Sequence, residues 1–359
     1  MDFSLSEEQE LLQDTVRGFV ARECPPRAVH AIYDGERGAV SALWQGLCEI
    51  GVPGLVVPEA HGGAGLELLD LALVAEELGR GAVPVPFLGH SLAALALASG
   101  GSAGQQAGWL PRLASGGARA TVALAEDGGS WLPSTWRVEL ANGRVTGRKQ
   151  LVPEAEGAEV FVVGCRGGAL ALVEAGPSVR VTQEPTLDRG RPLATLDLED
   201  APAETLAFSD AARLVDAGSV LLAADAFGAA HQLLRATAAY LQTRQQFGQP
   251  LAQFQAVKHQ LANMALDIDP TRGLWWYAAH AFDRPRSGRG AARGGAREGA
   301  HHRARAAGRA RRGGGARRDR LHLGMRRPDL VQARHVRPPL ARRAGAAPRA
   351  LRRSRGMVR

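Results

Sequence analysis

Through the first 115 residues the hydrophobic positions recur at helical spacing. Ser6, followed three positions on by Gln9, makes a capping box in front of "ELLQDTVRGFVARE". Within that run Leu11, Leu12, Val16, Phe19 and Val20 fall on one helical face. "SALWQGLCEIG" repeats the pattern and stops at Gly51, a residue type that ends helices. The Gly- and Pro-rich loop "VPGLVVPEAHGGAGLE" follows, and then "LLDLALVAEELGRG" and "QQAGWLPRLASGG" give two more helices closed by glycine. Between them, "FLGHSLAALALASGG" is apolar but too short to cross a bilayer, so it reads as a buried helix. No segment is expected to span a membrane.

The period changes near Thr121. "RATVALAE", "WRVELANGRVTGRKQLV", "EVFVVGC", "GALALVE" and "VRVTQEP" are short, β-branched and partly alternating. "ANGR" between two of these runs is a hairpin signal. The spacing predicts a small antiparallel β-barrel or sandwich from about 118 to 208. Helices return at Ala211 with the unbroken "LVDAGSVLLAADAFGAAHQLLRATAAYLQTR". The turn "QQFGQP" leads to "LAQFQAVKHQLANMALDID", and "TRGLWWYAAHAFD" opens a third helix, as in a bundle. The expected class is α+β: an N-terminal helical domain over 1–117, a central β domain over 118–208, an incomplete C-terminal helix bundle over 209–283, and a disordered tail over 284–359.

Charge divides the chain at the same place. Residues 284–359 carry 24 Arg, no Lys and three acids (Glu298, Asp319, Asp329), whereas residues 1–283 are net acidic. Such an arm grips phosphate without sequence preference. With no Lys and almost no aromatic residue to stack on bases, no specific nucleic-acid role is expected. Cys24, Cys48 and Cys165 are few and far apart, which fits a reducing, cytoplasmic setting and argues against a disulfide framework or a thiolate metal site. His231, His259 and His280 stand alone, so no metal is expected. "MDFSLSEEQELL" has no basic region followed by an apolar run, as a secretory leader would.

The chemistry concentrates in "YLQTRQQFGQPLAQFQAVKHQLANMALDI". Arg244 and Phe247 sit where one long helix gives way to another. A guanidinium there can hold a phosphate bidentately, and an aromatic can lie on a flat ring; alone, the pair reads rather as a helix cap and a turn plug. The whole pattern of Tyr240, Arg244, Phe247, Gly248, Phe254, Gln255, Leu261, Ala262 and Met264 resembles the acyl-CoA dehydrogenase family. The resemblance extends to "FSLSEEQELLQDTVRGFVAREC" and "GVPGLVVPEAHGGAGLELLDLALVAEELGR", and covers residues 1 to about 283. It implies FAD bound between the β domain and the bundle, across a subunit interface. It implies α,β-dehydrogenation of an acyl-CoA thioester with hydride transfer to FAD, electron-transfer flavoprotein as acceptor, and a homo- or hetero-oligomer.

By that resemblance Arg244 contacts the pyrophosphate, Phe247 packs by the adenosine end, and Gln255 is a further cofactor candidate. The flavin loop corresponds to "ALAEDGGSW": Ala125 replaces the usual Thr, Trp131 replaces the usual Asp, and Glu126, Gly129 and Ser130 remain. Lys149 is retained on the next strand, with Gln150 where an aromatic often covers the flavin. A carboxylate is needed to take the α-proton. The family's helix position for it falls at Gly218, which cannot serve. Asp216 and Asp225 are the acids between Ala211 and Arg244, and Asp225, in the helix interior, is the catalytic candidate beside the plainer reading of a paired structural residue. The absent Thr and the absent base also fit a non-catalytic partner subunit of a heteromeric dehydrogenase.

The tail does not continue the bundle. Read one base out of frame with CGN codons for Arg, Ala316 to Pro338 permits H-G-G-I-G-F-T-W-E-C-D-V-Q-T-W-F-K-R-A-M-F-D, close to the family's C-terminal FAD-binding motif. Glu298 to Ala306 permits K-A-H-T-T-E-R-A. A frameshift between about Asp283 and Glu298 accounts for both and for the Arg, Ala, Gly and Pro composition.

Overall fold

The computed structural model describes residues 4–36, 38–207 and 210–284. The tail, and with it the frameshift and the nucleic-acid reading, lies outside the described residues. The first helix, α1 (Glu7–Glu23), starts with both bonds of the capping box, Gln9 N to Ser6 Oγ and Ser6 N to Gln9 Oε1, each 3.2 Å. Five more helices follow: α2 (Pro26–Tyr33), α3 (Gly38–Glu49), α4 (Leu68–Arg80), α5 (Phe87–Gly100) and α6 (Ala103–Ala114). Val16, Phe19 and Val20 are buried, but Leu11 is 67% exposed. The reason is a polar stripe on α1. Gln9 donates to Asp70, Gln13 to Glu76 and Arg17 to Glu77, so the face turned to α4 is set by these residues and Leu11 points away.

The β region is one sheet: β1 (Ala120–Ala123), β2 (Glu139–Ala141), β3 (Arg144–Pro153), β4 (Val160–Gly164), β5 (Leu170–Glu174), β6 (Val179–Gln183) and β7 (Leu193–Thr205). The strand order is β1-β4-β5-β7-β3-β2, with β6 also on β7. This corrects the expected antiparallel barrel or sandwich. β1 runs parallel to β4, and β1 and β2 end the sheet. A single bridge, Ala125 to Gln150, joins the β1 end to β3, which is contact without closure. The "ANGR" hairpin forms between β2 and β3, with Asn142 at φ 52° and Gly143 at φ 70°, the two left-handed residues of a tight hairpin turn. Alternate residues of β4 serve two cores. Val160 and Val162 join the helices, while Phe161 and Val163 join β3, β5 and β7.

The C-terminal part is a helical hairpin. α7 (Ala211–Thr243) and α8 (Gln255–Asp283) are joined by a small turn carrying β8 (Gln245–Gln246) and β9 (Gln249–Pro250). α8 runs through Pro270, so the expected break before "TRGLWWYAAHAFD" is absent and the two segments are one helix. Proline removes one hydrogen bond there. Neighbouring contacts hold the helix, with Trp275 and Ala279 buried against the core that includes Phe227. α7 is 33 residues long and apolar enough to cross a membrane by length and composition, which revises the reading that no segment is; half of its most apolar window is buried in the fold.

α7 crosses α4 at backbone contact. A Cβ on Gly228 would lie 1.9 Å from the Glu76 carbonyl oxygen, and one on Gly79 would lie 2.1 Å from that of Asp225. Glycines at both positions are what let the helices approach this closely. Beneath the crossing Glu76 and Glu77 are fully buried. Glu77 takes Arg17 and Arg80, and Glu76 takes Arg272 from α8. Burial pushes the Glu76 carboxyl up, and Arg272 draws it back. One core therefore includes α1, α4, α5, one face of the sheet, α7 and α8.

Gly228→Ala is expected to destabilise the protein by about 2 kcal/mol or more, because backbone rather than a flexible side chain must give way. Gly273→Ala, with nothing within 4 Å of the added methyl, is expected to stabilise it by roughly 0.5–1 kcal/mol. Urea unfolding of the pair checks the sign difference.

Candidate functional site

Past β1 the chain turns over Leu124 to Trp131, and this turn is held from beneath. Lys149 on β3 is fully buried. Its ammonium donates to Glu126 Oε1 at 2.7 Å and to the Leu124 carbonyl at 3.3 Å, and sits 4.8 Å from the Trp136 ring centroid. Glu126 also accepts from the amides of Arg137 (2.7 Å) and Val138 (3.1 Å). Burial opposes the Glu126 charge, but Lys149 and the two amides outweigh it and hold the carboxyl below its ordinary value. Burial lowers the Lys149 ammonium. Lys149, a predicted cofactor contact, has its charge engaged by the turn's own atoms.

Above this pair Gly128 and Gly129 are left-handed (φ 83° and 70°), and a Cβ on Gly128 would meet nothing within 4 Å. Ala125 accepts from Gln150 N at 2.9 Å, and Ser130 Oγ lies 2.7 Å from Thr135 Oγ1. The pairing of β3 with β7 is irregular between Lys149 and Val152, and Leu151 there has φ 52°. A bulge of this kind re-aims a side chain. Leu151 Cδ1 lies 3.8 Å from the Cβ position of Gly129, so Leu151 lies across the turn while Gln150 bridges to Ala125.

The second group sits at the C-terminal end of α7. Arg244 is its C-cap, with its amide on the Tyr240 carbonyl at 2.9 Å and its carbonyl taken by Leu251 N at 2.8 Å. Phe247 is left-handed (φ 52°), 91% exposed, and edge-on to Phe254 at 6.1 Å. Gln255 opens α8. The motif thus brings Arg244, Phe247 and Gln255 together at one exposed turn. Asp225, whose partner comes from the sheet region, lies 19 residues back along the helix, about 28 Å at 1.5 Å per residue.

Asp225 is buried, and both of its oxygens take Arg191 from the loop before β7. The same loop reaches α2. Tyr33 Oη donates to Asp188 Oδ1 at 3.1 Å, and Arg189 donates to the Tyr33 carbonyl at 3.1 Å. At Gly218, an added Cβ would lie 3.2 Å from Leu92 Cδ1, so the space for a base on that helix position is filled from α5.

A cavity of about 350 Å³ opens where the start of α4, the end of α5, the start of α7 and the end of α8 meet. Leu95, Leu170, Leu214 and Phe282 give it apolar walls, and Ser99 and Arg213 polar ones. The end of α8 is latched beside it. Asp283 accepts from Leu68 N (3.1 Å) and Leu69 N (3.3 Å) at the start of α4, and Arg213 donates to the Phe282 carbonyl at 2.7 Å. Burial pushes the Asp283 carboxyl up to about 6.

Sequence reasoning missed Leu151, Arg191, Glu154 and Asp283. Only "KQLVPEAEG" carried a local hint, since an apolar run broken by Gln and Pro is a place for a bulge. Removing one member of the Glu126–Lys149 pair strands a buried charge. Lys149→Met is expected to cost about 3–5 kcal/mol, and Lys149→Met with Glu126→Leu much less. A double-mutant cycle by urea unfolding measures the coupling, and additive costs would refute it.

Two family models match the chain. Residues 6–117 match the family model "Acyl-CoA dehydrogenase, N-terminal domain" and residues 208–312 match "Acyl-CoA dehydrogenase, C-terminal domain". The chain is 34% identical over 280 residues to acyl-CoA dehydrogenase IpdE2 of Mycobacterium tuberculosis, covering 77% of this chain and 76% of that protein. Its fold is similar to a variant of the Tcur3481–Tcur3483 steroid ACAD (TM-score 0.72, 35% identity, 77% of this chain and 78% of that one). It is also similar to an acyl-CoA dehydrogenase of Bacillus anthracis complexed with FAD (TM-score 0.67, 25% identity, 76% of this chain and 51% of that one). With its helical ends, central sheet and R-x-x-F-G turn, the chain belongs to the acyl-CoA dehydrogenase family.

Proposed function

We propose that this chain is an FAD-dependent enzyme that introduces a double bond α,β to an acyl-CoA thioester. The observation that carries the reading is the Arg244–Phe247 turn. A guanidinium at a helix end stands beside a left-handed aromatic that the fold leaves exposed. Such a strained, uncovered aromatic fits a ring stacked on it. At the other group, the glycine turn over Gly128 offers open space and a close backbone approach. The residues present therefore fit FAD.

When bound, FAD supplies the hydride acceptor. Arg244 would hold a phosphate and Phe247 and Gln255 the adenosine end, while Ala125, Gly129 and Ser130 would present backbone and hydroxyl to the flavin. Lys149 acts through Glu126 by fixing that turn. We assign Asp225 an anchoring role, since Arg191 engages both its oxygens. The proton-abstracting base then comes from elsewhere than Gly218. The site is completed by a second subunit, of this chain or a homologous one, as membership of the family implies. Electron-transfer flavoprotein is the acceptor we propose.

The purified protein is expected to show oxidised-flavin absorbance, or to take up added FAD, and to lose it on addition of an acyl-CoA with electron-transfer flavoprotein reoxidising it. Arg244→Ala is expected to weaken FAD binding about tenfold or more, the loss of one charge-assisted hydrogen bond. A colourless protein that takes up no FAD sinks the reading.

We infer separately that the coding frame shifts by one base between about residues 283 and 298. Sequencing the gene checks this. A shifted frame that is open and encodes H-G-G-I-G-F-T-W-E supports it, and early stop codons in that frame overturn it.

A further inference from the structure

Glu154 closes the irregular stretch of β3. It is the second non-glycine residue there with left-handed backbone (φ 44°), three positions after Leu151. Its amide donates to the Pro192 carbonyl at 3.0 Å, which ties it to the neighbour of Arg191. Its Oε2 is buried without a hydrogen-bond partner. The charged groups that face it are Arg191 and Asp188 on the loop before β7 and Asp225 on α7. Thr121 on β1 donates to the Pro153 carbonyl at 2.7 Å, so the same stretch is fastened to the strand that leads into the flavin turn.

A carboxyl buried without a partner costs least when uncharged. A carboxylate at this point would compete with Asp225 for Arg191, the one cation facing it among the described residues. Arg191 is what ties the loop before β7 to α7, and Pro192 next to it ties that loop to Glu154. The positive φ values at Leu151 and Glu154 are strained for residues with side chains, and such strain persists only where the surroundings enforce it. The chain of contacts therefore runs from α7 through Asp225, Arg191, Pro192 and Glu154 to Leu151, and from there to Gly129 of the turn.

We propose that Glu154 is a positioning residue for the FAD site: as a neutral carboxyl it leaves Arg191 committed to Asp225, which keeps the β3 bulge and Leu151 seated on the flavin turn, and as a carboxylate it draws Arg191 away and unseats them. The proposal rests on the FAD reading above. Burial, with Asp225 and Asp188 adding to it and Arg191 opposing, pushes the Glu154 carboxyl up to about 8. In the unfolded chain it titrates near its ordinary value. Across the window between the two the folded protein keeps a proton that the unfolded chain releases, so stability falls through that window and levels off above about 8.

The test compares the full-length protein with Glu154→Gln, which keeps the shape and the neutral charge. FAD affinity of the unsubstituted protein is expected to weaken by up to about tenfold per pH unit above 8, and that of Glu154→Gln to stay flat. In the absence of FAD, urea unfolding should show stability declining toward pH 8 in the unsubstituted protein and a shallower decline in Glu154→Gln. Arg191→Met should weaken FAD binding at every pH and leave no step near 8. An FAD affinity that is flat with pH, or an identical pH profile in Glu154→Gln, overturns the proposal. If neither protein takes up FAD at any pH, the flavin reading fails. The unfolding curves then decide Glu154 by themselves: equal pH slopes remove its neutral role, and a shallower slope in Glu154→Gln upholds it.

Discussion

The close crossing of α4 and α7 is the constraint on which the rest depends. Gly79 and Gly228 bring the two backbones together, and no side chain cushions them. Everything with charge near that crossing has to be paired, because water is excluded there. Glu76 and Glu77 meet Arg17, Arg80 and Arg272, and Asp225, whose own carbonyl lies under Gly79, meets Arg191. These pairs are not themselves a large source of stability, since desolvation offsets most of their attraction. They act by register. Each allows one placement of α1, α8 or the loop before β7 against the crossing.

The path from there to chemistry is short. Arg191 fixes the loop, the loop fixes the end of β3, and β3 presents Lys149 below the turn and Leu151 above it. The turn is thus held on two sides, with the space at Gly128 left open. The Arg244 turn is organised by its own hairpin, and it depends on the crossing only for the direction in which α7 points.

Much of this could be read from the sequence because the signals were local. The Ser6 box, the Asn142–Gly143 hairpin and the end of the α3 helix each rest on two or three neighbouring residues. The Arg244 to Met264 pattern was legible because a helix end, a turn and a helix start follow one another without interruption. Leu11 was misplaced because apolar periodicity ignores a polar stripe that packs. The barrel was misjudged because strand runs do not reveal which strands pair, and β1 pairs in parallel with β4 some forty residues on. α8 was divided because Pro270 breaks helices by local rule, and tertiary packing overrode it. Asp225 could not be assigned without Arg191, and no sequence rule links residues 34 apart across two elements.

The latch at the end of α8 bears on how the protein is made. The first amides of α4 are satisfied by Asp283, 215 residues downstream of Leu68. At ordinary rates of synthesis α4 leaves the ribosome roughly 10–40 s before that carboxylate exists. During that interval the helix has lost neither its sequence nor its partners on α1, but its N-terminus is open to solvent and α7 has yet to arrive on its glycine face. The face of α4 that α7 covers therefore stays open until α7 has been made. Folding completes from the C-terminal side, and the growing chain's exposure to chaperones is set by the distance between Leu68 and Asp283 in the gene.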